Sequence, residues 1–379
     1  MAGIYIHIPF CTSRCVYCDF FSSTDSSWRG RYVEAVCREL QLRRDELGGE
    51  PVSTVYLGGG TPSTLTVAER ARLFDALSTV VDWGACSEVT LEANPDDVTP
   101  EFVASLADTP VNRLSMGVQS FSDADLAFLR RRHTARGAVE AVELCQATGY
   151  DNLSIDLIYG LPGQTLEGWQ ANLQQAVSLG VPHISAYSLI YEVGTALWRM
   201  RERGEVKECD EELSLRMFDE LIDRLAAAGY EHYEISNFAC DRRYARHNTS
   251  YWTGVPYLGL GAAAHSYDGR VRRINPASLR RYVEAVESGR TACDEECESR
   301  ESRDSLYNER ILTSLRTCWG LDLERLRADF GEERLQYCLE QAQPHLRGGR
   351  LAIDNGVMRI TRQGIFTSDD VMSDLFWVD

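Results

Sequence analysis

Several common features are missing from this 379-residue chain. No window approaches the ~18 consecutive apolar residues that a membrane helix needs. The start, Met1-Ala2-Gly3-Ile4-Tyr5, has no basic region followed by a long apolar run, the pattern of a secretory leader. Low-complexity tracts and short-period repeats are also absent. Nor is there any basic excess: 39 Lys and Arg against 57 Asp and Glu leave a net charge of -18. Such a chain has no broad attraction to nucleic acid or anionic lipid. These absences point to a cytoplasmic protein with no transmembrane segment and no nucleic-acid partner.

Cysteine, by contrast, is plentiful, with 12 residues. Without an export signal these read as thiols rather than a disulfide framework. Cys37, Cys86, Cys145, Cys209, Cys240, Cys318 and Cys338 are scattered singly and read as small packing residues. Cys293 and Cys297 have C-x3-C spacing, but they lie in the acidic stretch CDEECESRESRD. Surrounding carboxylates oppose further thiolate charge, so that pair suits a cluster poorly.

Up to about residue 191, apolar runs alternate with helical patterns. Strands are predicted at 3–8, 54–57, 87–92, 113–117, 153–158 and 184–189. Helices are predicted at 29–46, 67–80, 100–106, 124–129, 135–147 and 166–179. This alternation indicates βα units around a mostly parallel sheet. Glycine and polar residues gather just past the strand ends, the edge at which α/β barrels assemble their sites. The predicted fold is α/β: a partial (β/α)6 TIM-like barrel over 1–191, with a doubly wound sheet as the alternative. An α+β extension follows over 192–300, with a long helix predicted at 213–228. Residues 301–379 read as a winged-helix-like module, with helices at 305–316, 323–330 and 333–341. A hairpin, 351–354 and 357–360, turns at Asn355-Gly356, and a last helix covers 367–376. Mixed local charge assigns this module to packing or partner docking rather than DNA.

The stretch IPFCTSRCVYCD places Cys11, Cys15 and Cys18 in a C-x3-C-x2-C run just past the first strand. A closed zinc site wants four ligands, and the nearest further candidate is His7, on the strand itself. Iron–sulfur clusters accept short thiolate runs in one loop. Three thiolates on three irons of a 4Fe-4S cube leave the fourth iron open to an outside ligand.

That run, with Tyr17 just before its third cysteine, resembles the signature of the radical S-adenosylmethionine (SAM) superfamily. The resemblance implies that SAM chelates the open iron and is cleaved on reduction to a 5'-deoxyadenosyl radical. Gly58-Gly59-Gly60-Thr61-Pro62 resembles the superfamily's glycine motif, in which bare backbone approaches the methionine part of SAM. By the same resemblance Tyr5, Gly59, Gly60, Thr61, Glu92, Gln119, Arg131 and Asp156 are the expected SAM contacts. Glu92 and Asp156 suit ribose hydroxyls or the amino group, and Arg131 suits a carboxylate.

Two groups in the superfamily share this pattern from Tyr5 to the C-terminal region: oxygen-independent coproporphyrinogen III dehydrogenases and heme chaperones. The dehydrogenases carry a fourth cysteine where this chain has Phe20, and a longer N-terminal segment than the ten residues before Cys11. Arg246-His247-Asn248-Thr249-Ser250-Tyr251-Trp252 contains HNxxYW, the chaperone motif whose histidine is implicated in heme binding. A neutral imidazole is a good axial ligand for heme iron. Tyr251 and Trp252 are expected to offer flat apolar surface, and Arg242, Arg243 and Arg246 to pair with propionates. His265, in GLGAAAHS, matches the family's GxGAxAHS stretch, with Ala263 where glycine is usual. The segment ACDRRYAR also lacks the usual proline and glycine. The resemblance thus implies a heme chaperone carrying a 4Fe-4S cluster and SAM, with hemoproteins, membrane-bound respiratory enzymes among them, as recipients. It further implies an unnamed electron donor, a monomer or dimer, and transient visits to the inner face of the membrane. The alternative is radical decarboxylation of coproporphyrinogen III.

Overall fold

The computed structural model describes residues 1–293 and 298–378, so Cys297 of the acidic pair lies outside the described residues. Strands β1 (Ala2–Ile8), β2 (Val52–Gly59), β3 (Glu88–Ala93), β4 (Arg113–Gln119), β5 (Leu153–Tyr159) and β6 (His183–Ser188) carry the architecture. They are parallel and lie side by side in chain order. A doubly wound sheet needs a reversal of strand order, and none occurs among these six. The winding is that of a barrel.

Period-2 alternation decides what each strand face meets. In β1, Ile4, Ile6 and Ile8 are wholly buried in the main hydrophobic core. Each such side chain contributes roughly 1.5–3 kcal/mol. Gly3, Tyr5 and His7 take the opposite face, as do Thr54, Tyr56 and Gly58 in β2 and Glu88, Thr90 and Glu92 in β3. That second face is concave, because Asp156 on β5 acts electrostatically on Glu92 of β3 and Tyr56 of β2. The lumen is therefore lined with polar groups. Thr66, Thr99, Ser122, Thr134 and Thr165 each cap a barrel helix by accepting from a backbone N–H of its first turn. The first helix ends at Arg43 and continues as a tight turn, Arg44–Leu47, because Gly48 adopts a left-handed φ of 59°.

Six further strands lengthen the sheet at both edges. At one edge β7 (Glu231–Glu234) and β8 (Asn237–Ala239) run antiparallel beside β6. At the other, β9 (Tyr257–Leu260) is parallel to β1. It is followed by antiparallel β10 (His265–Tyr267), β11 (Val271–Ile274) and β12 (Glu298–Arg300). The 12-stranded sheet ends at β12 and β7.

The last region packs around its own hydrophobic cluster, from Tyr307 to Leu375. It holds helices Arg303–Leu315, Leu323–Phe330 and Glu332–Arg347. Its small sheet contains β13 (Leu321–Asp322), β14 (Leu351–Asp354) and β15 (Val357–Ile360). The predicted hairpin turns at Asn355 and Gly356, whose φ values of 50° and 78° are those of a tight primed turn. Two boundaries differ from expectation: the third helix runs on to Arg347, and the last spans only Ser368–Ser373.

Candidate functional site

β1 delivers the cysteine run to the carboxyl edge of the barrel. The loop closes on its own start: Cys11 N–H donates to the Ser23 carbonyl at 3.0 Å, and Ser23 N–H donates to Pro9. The glycine run at the end of β2 is pressed against it, with Gly60 N–H on the Ile8 carbonyl and Thr61 N–H on Phe10, both 2.9 Å. A Cβ on Gly60 would lie 2.7 Å from the Ile8 oxygen, and one on Gly59 2.5 Å from the His7 ring. Only glycine fits there.

Cys11, Cys15 and Cys18 are free and half-buried. Burial raises the Cys11 pKa, and it pushes Cys18 up to about 11, with the neighbouring thiols adding to both shifts. Thr61 Oγ1 donates to Cys11 Sγ at 3.5 Å and Arg131 Nη1 to Cys15 Sγ at 3.2 Å. Among the described residues no three His, Cys, Asp or Glu side chains are grouped around one metal ion. His7 does not serve as a fourth zinc ligand as placed: its Nδ1 bonds Tyr5 OH at 3.0 Å and its Nε2 the Phe21 carbonyl at 2.9 Å. Three interacting thiols beside a cation fit a cube with one thiolate per iron better than a closed tetrahedral site.

Of the expected SAM contacts, Thr61 and Arg131 touch this loop's thiols and Glu92 bonds the glycine run beside it. Glu92 accepts from Tyr56 OH at 2.6 Å and from Gly59 N–H at 3.1 Å. Burial raises its pKa to about 7, although those two bonds oppose the shift. Asp156 is likewise pushed up by burial, to about 6, with Ser185 and Arg113 pulling it back. Arg131 Nη2 bonds Asn94 at 2.5 Å and the Gly117 carbonyl at 2.7 Å, while its Nε is buried with no partner. Gln119 holds a left-handed φ of 68° at the end of β4. Such strain costs on the order of 1–3 kcal/mol and concentrates at functional sites. Tyr5, in β1, has its ring 6.1 Å from that of Tyr56 and feels the charge of Glu92.

His247 lies elsewhere. It sits in the helix Arg246–Thr253, whose first N–H groups, from Arg246 and His247, donate to the buried Glu88 carboxylate at 2.9 Å each. A carboxylate at a helix N-terminus is favourable. The His247 ring is only 1% exposed and packs against Gly3, where an added Cβ would approach it to 3.2 Å. Its Nδ1 bonds Thr54 Oγ1 at 2.9 Å and its Nε2 bonds Tyr251 OH at 2.8 Å. Burial lowers its pKa to about 3, with Arg113 adding to the effect. The partners Gly3, Thr54 and Glu88 come early in their strands, so this helix closes the floor of the barrel.

Residues 5–176 match the radical SAM superfamily and residues 302–367 the HemN C-terminal domain. The heme chaperone HemW of Mycobacterium tuberculosis (strain ATCC 25618 / H37Rv) is 36% identical over 377 residues, 98% of this chain and 94% of that protein. That of Lactococcus lactis subsp. lactis (strain IL1403) is 36% identical over 327 residues, 86% of this chain and 84% of that protein. The chain belongs to the HemW family. The structure of HemN, the coproporphyrinogen III oxidase of Escherichia coli and a radical SAM enzyme, covers 99% of this chain and 90% of its own. Its TM-score is 0.86 at 22% identity, a likeness of fold.

Within this HemW-family chain, the motif helix departs from the expected porphyrin platform. His247 has no ring nitrogen facing solvent, Tyr251 OH is bonded to it, and Arg316 lies 4.4 Å over the Trp252 ring. Arg243 is paired with Asp151. Direct iron ligation by His247 would require the floor to open. The partners that sequence reasoning missed are Glu88, Arg113 and Thr54, each on the lumen face of a strand. The alternation of β3 places Glu88 and Glu92 on one face, a signal that was available. Nothing in the sequence marks Arg113 as a lumen cation.

Proposed function

We propose that this chain is a heme chaperone, binding heme and passing it to hemoproteins, membrane-bound respiratory enzymes among them. The observation that carries this reading is the match, over nearly the whole chain, to proteins named as heme chaperones. Cys11, Cys15 and Cys18 would hold a 4Fe-4S cluster with SAM bound to it, a reading supported by three half-buried thiols beside Arg131 and Thr61. When bound, the cluster supplies an electron for cleaving the SAM sulfonium. The chain's own part is to orient and enclose. The backbone at Gly59, Gly60 and Thr61 would lie against the methionine part of SAM, Arg131 would hold its carboxylate, and Glu92 and Asp156 would accept hydrogen bonds from ribose hydroxyls or the amino group. Tyr5 and Gln119 complete the wall.

The barrel core occupies 1–191, the family extension 192–300, and a winged-helix-like docking module 301–379, whose separate hydrophobic cluster supports the division. The protein works in the cytoplasm, as monomer or dimer, with visits to the inner face of the membrane. No described helix is long and apolar enough to cross a membrane. The second reading is coproporphyrinogen III dehydrogenation, supported by the likeness of fold to HemN. Phe20, 62% exposed at the dehydrogenases' fourth-cysteine position, argues against it. Anaerobic reconstitution followed by parallel heme titration and coproporphyrinogen assay decides between them. Stoichiometric heme binding without vinyl product is expected; robust conversion to protoporphyrinogen would overturn the reading.

A further inference from the structure

A heme-iron ligand needs an accessible ring nitrogen, and that requirement sorts the chain's 7 histidines. His7, His133, His183, His247 and His345 are buried, and His232 is half-buried. Each of these six has at least one ring nitrogen hydrogen-bonded within the protein. His265 alone is exposed.

Its surroundings are those of a built face. Ser266, the next residue, is buried, bonded to Arg43 and to the backbone of Gly259, which fixes the strand and turns His265 outward. Directly across the antiparallel pair stands Ile274, an exposed apolar side chain on the same face. The next pair on that face is Tyr267 and Arg272, with the guanidinium 4.5 Å over the ring. One short face thus carries an imidazole and an apolar contact, the chemistries that iron and macrocycle call for, while Arg272 is held by Glu301 and Glu309. Desolvation and Arg272 lower the His265 pKa.

The position also matters. β9 is parallel to β1, so the chain leaving β9 emerges at the carboxyl edge, the edge of the cysteine loop. Gly261 there packs so close that an added Cβ would lie 2.7 Å from the His7 carbonyl. His265 in turn acts electrostatically on His7, whose Nε2 bonds Phe21 just past the cysteines.

We propose that His265, at the barrel mouth, ligates the iron of the heme cargo, and that His247 is a positioning residue holding the barrel floor. This rests on the heme-chaperone reading. The test is hemin titration of the full-length, cluster-reconstituted chain, followed by the Soret band and by the EPR signature of imidazole-ligated ferric heme. Thermal melts are recorded alongside. His265→Ala is expected to lose that signature and bind heme roughly tenfold or more weakly, with an unchanged melt and recovery of the signature on adding free imidazole. His247→Gln is expected to melt lower and keep the signature. A wild-type signature in His265→Ala overturns the proposal and leaves the chaperone reading standing. If the parent protein binds no heme, the chaperone reading itself fails. Should His247→Gln not fold, the His265→Ala arm decides alone.

Discussion

The mouth and the floor of this barrel are built from the same strands and the same polar residue types, yet they differ in what their groups are bonded to. On the floor, His247 is bonded to Thr54 and Tyr251 through both ring nitrogens and to Glu88 through its backbone, although Arg113 Nε beside them has no partner. At the mouth, the thiols are half-buried, Arg131 Nε has no protein partner, and Gln119 is strained. A satisfied polar network specifies a structure; an incompletely satisfied one costs free energy unless something else completes it. What differs is the histidine and the thiols: His247 is fully bonded, whereas the three thiols stay half-buried and free.

The largest effect expected from breaking the mouth is on metal. Cys15→Ala should abolish cluster retention, read as loss of iron and acid-labile sulfide, while the melt of the cluster-free protein moves little. A large drop in that melt would mean the mouth also carries the fold. On the floor, Glu88→Ala strands the buried N–H of His247 and the part-buried one of Arg246 and should cost about 2 kcal/mol in denaturant unfolding, with cluster retention kept.

The pH dependence separates mouth from floor by sign. Glu92 and Asp156 have folded pKa values of about 7 and about 6, above their ordinary 4.5 and 3.8. Their protonated forms favour the fold, so this contribution is full below about pH 4 and is lost as pH rises toward 7. His247 is lowered from 6.5 to about 3. Its contribution is present above pH 6.5 and is lost as pH falls toward 3. Melting curves across pH 4–7 should therefore change in opposite senses: Glu92→Gln removes a loss on the alkaline side, His247→Gln one on the acid side. Matching profiles would erase the distinction. The smallest effect is expected for Gln119→Gly, which relieves the left-handed strain and should stabilise by about 1 kcal/mol while weakening SAM binding in equilibrium titration.

Much of this was legible beforehand. All six barrel strands and the thiolate loop appear where alternation and spacing place them, because period-2 burial and local motif chemistry are written in adjacent residues. The strands β7 to β12 were not foreseen. They are short, three or four residues each, and join a sheet whose other members lie far away in sequence. The helix Arg246–Thr253 was also missed as an element, because its stability comes from Glu88 and the lumen wall rather than from an apolar face of its own.

The sequence by itself determined the βα alternation, the cysteine run and the family pattern, since each depends on neighbours within a few residues; the barrel winding needed the strand order. Only the tertiary structure decided which histidine is accessible. His247 and His265 are both motif residues in a polar setting, and no local rule ranks them. Exposure depends on residues brought from distant strands: Gly3 and Thr54 enclose the first, while Ser266, held by Arg43, turns the second outward.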